Sequence, residues 1–174
     1  MKTTHFTFHS EHNWEAHLFH HLPFAPQIER LEISITAWLA QHSLTILRIA
    51  LGIVYFWFGA LKLSPTLSPA ENLVRHTMYF VNPAFFIPFL ATWEMLIGLG
   101  LIIGAFMRIT LILLFTQMLG TLLPFLILPH ECFTVFPYGL SLEGQYIVKN
   151  LVLVSAGMVL ASTVRGGHLV IDAD

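Results

Sequence analysis

"LRIALGIVYFWFGALKL" (residues 47–63) is apolar enough to lie in lipid, yet it holds Arg48 near one end and Lys62 near the other. On a helix, Arg48, Gly52, Tyr55, Gly59 and Lys62 recur at steps of four, three, four and three, so they share one face. The two glycines on that stripe let a neighbouring backbone come close, while the other faces carry the Ile, Leu, Val, Phe and Trp that suit lipid. A charged stripe flanked in this way is the inner face of a helix in a bundle. The stretch therefore points to an all-α integral membrane protein.

Composition agrees. Of the 174 residues, 56% are hydrophobic and 10% charged, against roughly 25% charged in an average soluble domain, and the mean hydropathy is +0.73. Crossing a hydrocarbon core takes roughly 20 residues of helix. Four runs are that long, near residues 43–61, 84–104, 109–129 and 146–162. An even number of spans puts both termini on one side. That side holds Arg30, Arg48, Arg108 and Arg165 against Lys62, Arg75 and Lys149 on the other, which favours cytoplasmic termini. The net charge of −2 leaves no basic footprint for nucleic acid. The sole cysteine, Cys132, excludes a CxxC pair cycling within this chain. The start, "MKTTHFTFHSEHNW", has no basic region followed by an apolar run, so no cleavable signal peptide is expected and the later spans should drive insertion.

Two parts are expected, a His-rich lead with an amphipathic helix (1–42) and a four-helix transmembrane domain (43–174). In "APQIERLEISITAWLAQHS", Ile28, Leu31, Ile35, Trp38 and Leu39 fall on one stripe away from Glu29, Arg30 and Glu32, the pattern of a helix lying in the membrane interface. Between the first two spans, Ser68-Pro69-Ala70-Glu71 reads as a capping box opening a short surface helix that stops before Asn82-Pro83. "PHECFTVFPYGLSLEG", rich in aromatic and turn residues, links the third span to the fourth.

The polar residues inside the spans carry the functional reading. Glu94 lies mid-way along the second span, where an isolated carboxylate costs several kcal/mol unless it is paired or protonated. The third span offers Gln117 on a stripe with Thr110, Thr121 and Pro124, and the fourth offers Lys149 and Asn150. Glu94 is the expected common counter-charge of Arg48 and Lys62. Polar groups from four helices converging on one interior point to a binding site, whereas one pair would suffice to fix helix register.

Other constellations are weaker. His17 and His21 stand one helical turn apart as metal ligands could, but no second ligand cluster has matching spacing, so no metal site is expected. His130, Glu131 and Cys132 are adjacent, and adjacent residues seldom converge on one atom as a catalytic triad must. No histidine falls at mid-span, so no haem is expected.

Three stretches carry a family resemblance: "LRIALGIVYFWFGALKLSP", "WEMLIGLGLIIGAFMR" and "FPYGLSLEGQYIVKNLVLVSAGMVLAS". From about residue 43 to 162 the chain resembles the DoxX-like membrane proteins, including their reactive-chlorine-resistance branch. The resemblance implies a four-helix bundle in the bacterial inner membrane, in a family that includes the small membrane subunit of thiosulfate:quinone oxidoreductase. It picks out Arg48, Gly59, Lys62, Glu94, Gly98, Arg108 and Lys149, and departs from the relatives at Asn150, where they often carry an acid.

The function expected is a redox- or oxidative-stress-associated membrane subunit that holds a quinone-like ligand within the bundle. Glu94 and Lys149 are the catalytic candidates; Arg48, Tyr55, Lys62, Trp93, Gln117 and Asn150 are the ligand-binding ones. With no cofactor motif in the chain, the electrons would come from a redox partner protein, and a homo-oligomer is compatible with this reading. The alternatives are a non-enzymatic stress or scaffold protein whose buried charges only specify packing, and a transporter of a small solute or protons.

Overall fold

The computed structural model describes residues 25–64, 71–78, 81–164 and 166–167. Its elements are α1 (Ala25–Leu61), α2 (Glu71–Thr77), α3 (Pro83–Ile103), α4 (Met107–Ile127), α5 (Pro129–Cys132), β1 (Phe133–Val135), β2 (Gly139–Leu140) and α6 (Leu142–Thr163). Among the described residues, four helices are long and apolar enough to cross a membrane: α1, α3, α4 and α6. The protein is an all-α, four-span bundle.

The chain divides into two compact units between Ser43 and Leu44. In the first, Ile28, Leu31, Ile35, Trp38 and Leu39 are all exposed, and the Trp38 ring stacks on His42 at 4.7 Å. The separate interfacial helix is corrected in one respect: no helix end falls near Ser43, because α1 runs unbroken from Ala25 to Leu61. From Gln27 to Leu51 the sequence holds neither proline nor glycine to stop it. His17, His21 and the Ser68-Pro69 start of the capping box lie outside the described residues.

In the second unit each element begins and ends for local reasons. Asn82 caps α3, its side chain accepting from the Ala84 N–H at 3.0 Å, with Pro83 in the first turn, and Gly104 closes the helix in the left-handed region at φ 76°. Ser141 caps α6 by accepting from the Gly144 N–H at 3.0 Å. The fourth span therefore starts at Leu142 rather than Tyr146, and takes in Glu143 and Gln145.

Lipid gives helices no hydrophobic reason to associate, so close packing has to hold them. Here glycines supply it. A Cβ at Gly98 would sit 2.5 Å from the Phe56 nitrogen and 2.7 Å from the Gly52 carbonyl, and one at Gly59 would sit 2.9 Å from the Ala91 carbonyl. Residues from Leu44 onward on α1 thus run antiparallel to α3 at backbone contact. Leu51, Tyr55, Ile97, Leu101, Leu111, Leu114, Met118 and Leu160 form the main core. A smaller core of Leu73, Cys132 and Ile147 ties the α2 and α5 turns to α6. Outward faces are apolar, with Trp57, Ile112, Leu119, Leu126 and Val152 exposed, as a bilayer environment requires.

The link after the third span is more ordered than its turn-rich sequence suggests. It folds as the single helical turn α5 followed by an antiparallel β1–β2 hairpin.

Candidate functional site

Gly59 decides where the site is. With no side chain there, α1 meets α3 at Ala91, Glu94 and Met95, and Lys62, three residues further on, reaches across to Glu94. Its Nζ donates to Glu94 Oε2 at 2.5 Å, and each side chain is 7% exposed. The other carboxylate oxygen, Oε1, accepts from Gln117 Nε2 at 2.8 Å. Gln117 Oε1 in turn accepts a long bond from the Tyr55 hydroxyl at 3.5 Å. Three helices thereby share one buried chain of hydrogen bonds, which offsets the cost of removing a carboxylate and an ammonium from water.

Beside this chain is a cleft of about 400 Å³. Tyr55, Lys62, Trp93, Glu94, Gln117, Lys149 and Asn150 all line it, together with the apolar side chains of Leu73, Phe86, Phe89 and Leu153. The Trp93 indole donates to the Leu113 carbonyl at 3.2 Å, and its ring meets Phe89 edge-on at 5.4 Å. Helix α2 supplies part of the wall through Leu73, Val74 and Thr77. Gly120 lines it too, and a Cβ built there would meet nothing within 4 Å. Thr77, Phe86 and Tyr146 were not among the sequence candidates. Tyr146 had a signal, standing three and four residues before Lys149 and Asn150, on the same helical face.

Arg48 is the exception. It donates through Nη1 to the Leu101 and Ile102 carbonyls at 2.7 and 3.2 Å, and lines a separate hollow with Leu44, Thr45 and Met107. The expectation that Glu94 serves both cations is therefore corrected: among the described residues it pairs with Lys62 and not with Arg48. The carbonyls at the C-terminal end of α3 carry the negative pole of the helix dipole, and this is what Arg48 meets.

The His130-Glu131-Cys132 run does not converge on one point. Glu131 Oε1 lies 2.8 Å from His76 Nδ1, His130 is exposed, and Cys132 is 0% exposed. Burial pushes the Cys132 thiol up from its ordinary value, and the Glu131 and Glu143 carboxylates push it further. A folded protein at neutral pH is therefore expected to resist a maleimide at Cys132 and to react fully once denatured, as read by mass shift. Rapid labelling of the folded protein would contradict this placement.

Comparison with known proteins gives one result of weight. The family model described as DoxX matches residues 43–127, which takes in the later part of α1 and all of α3 and α4. No curated protein and no solved structure matches the chain.

Proposed function

We propose that this chain, a DoxX-like multi-pass membrane protein, takes a quinone-like, carbonyl-bearing apolar ligand from the bilayer into its cleft. The observation that carries the proposal is the cleft itself: about 400 Å³, apolar over most of its wall, with a buried ion pair at its side. Ligand sites are commonly 300–1,000 Å³ and largely apolar, with a few placed polar groups. In this reading a lysine hydrogen-bonds the carbonyl oxygen, Glu94 holds or exchanges a proton, and Tyr55 and Trp93 flank the ring. Electrons would come from a partner protein, since reduction of a quinone needs a donor and the sequence holds no recognisable cofactor motif. The resemblance to bacterial relatives and the arginine bias favour an inner-membrane location with cytoplasmic termini.

A second reading, a scaffold whose charges fix packing, draws on a specific observation. Among the described residues no buried side-chain nitrogen or oxygen lacks a hydrogen-bond partner. One variant separates the two. Gly120→Phe places a ring in the cleft from a position where the first added carbon meets nothing. Small molecules extracted from the protein, purified from quinone-containing membranes, should include a quinone-class lipid in the wild type and at least about tenfold less of it in Gly120→Phe, with thermal stability unchanged. Equal recovery from both, or none from either, would favour the scaffold.

A further inference from the structure

The polar groups lining the cleft divide into those already engaged and those that are not. Lys62, Glu94, Gln117 and Tyr55 hydrogen-bond one another, and the two charged side chains are all but covered. Thr77, Trp93 and Thr121 donate to the Leu73, Leu113 and Met118 carbonyls at 2.6, 3.2 and 2.8 Å. What remains on α6 is a cluster one turn wide: Tyr146, Lys149 and Asn150, at spacings of three and four. Among the described residues, none of the three side chains has a hydrogen bond or ion pair; the Tyr146 ring only meets Phe58 edge-on, at 5.9 Å. Lys149 is exposed and Asn150 half-buried. A polar group in an apolar setting without a partner is costly unless a ligand or water meets it. Thr116, on α4, offers one hydroxyl to the same cleft.

We infer that Lys149 and Asn150 form the head-group site of the cleft, which selects ligands carrying a hydrogen-bond-accepting carbonyl oxygen on an apolar body. The inference rests on the proposed reading of the cleft and sharpens it. The carbonyl meets the Lys149 ammonium and the Asn150 amide, while the body lies along Leu73, Phe86 and Phe89. The Lys62–Glu94 pair also lines the cleft, but its polar atoms are already engaged with each other and with Gln117, holding α1 to α3, so it is not the group that reads the head. Its own hydrogen bonds would have to break before it could be.

The test compares two probes with one tail, decyl-substituted benzoquinone and decylbenzene, binding to the full-length protein in lipid nanodiscs by native mass spectrometry. The wild type should hold the quinone more tightly. Lys149→Met and Asn150→Leu should each weaken the quinone by about tenfold or more, the scale of a hydrogen bond involving a charged or buried group, and leave decylbenzene unchanged. Lys149→Arg should retain most of the quinone's advantage. A loss of folding would weaken both probes together, so the difference between probes is the quantity that decides. A quinone preference that survives in Lys149→Met and Asn150→Leu overturns the head-group site and leaves the cleft reading standing. If neither probe binds the wild type, or both bind Gly120→Phe equally well, the cleft reading falls and this inference falls with it.

Discussion

Lys62→Met is expected to destabilise the folded protein by about 3–5 kcal/mol, the usual cost of removing one member of a buried ion pair. Glu94 is 6% exposed, and among the described residues the loss of Lys62 would leave it the Gln117 hydrogen bond as its one side-chain contact. The carboxylate would have to take up a proton or draw in water. Glu94→Gln leaves the Lys62 ammonium buried without its counter-ion and should also destabilise, less than Lys62→Met to the extent that the new amide oxygen still accepts from Lys62. The double variant Lys62→Met/Glu94→Leu should recover most of the loss, since two apolar side chains carry no desolvation penalty. Unfolding in mixed micelles, followed by circular dichroism, gives all three values. Equal losses in the single and double variants would mean that packing, not charge, holds this contact. By contrast, the surface pair of His76 and Glu131, with side chains 60% and 28% exposed, should contribute less than about 1 kcal/mol.

The second large effect is expected at Gly98. An alanine there would put its Cβ 2.5 Å from the Phe56 nitrogen, and the obstacle is the backbone of α1, which cannot rotate aside. Overpacking of this kind typically costs about 1–3 kcal/mol. Gly98→Leu should exceed that range and part α1 from α3, carrying Lys62 away from Glu94. Gly120→Ala is the control, because the added carbon has open space, and a helix gains slightly from alanine over glycine. Comparable losses at both positions would refute the close-approach account of the α1–α3 contact.

The two sites differ in how far the sequence reveals them. The Arg48-to-Lys62 stripe follows from helical spacing alone, and Glu94 is marked by the cost of a charge at membrane depth. Their pairing is another matter. Arg48 and Lys62 are fourteen residues apart, about 21 Å along a helix, so one carboxylate cannot serve both. Which cation meets Glu94 depends on how α1 slides against α3. That register is set where Gly59 meets Ala91 and where Gly98 meets Gly52 and Phe56. Spacing within one helix carries no information about it.

Lys149 and Asn150 show the same division. Their residue types and their place in the fourth span are visible in the sequence, but nothing local says which polar groups are engaged and which are free. That depends on Gln117 reaching Glu94 from a third helix. The α2 turn likewise shows apolar residues to bury, while its place in the wall of the cleft comes from Leu73 packing against Cys132 and Ile147. The sequence by itself determined the four spans and their inward faces, because the bilayer imposes length and polarity on each helix separately. Only the tertiary structure decided the Lys62–Glu94 pair, the Arg48 contact with the end of α3, and the cleft with its unengaged Lys149 and Asn150, because these depend on helix register and depth, which arise only when helices meet.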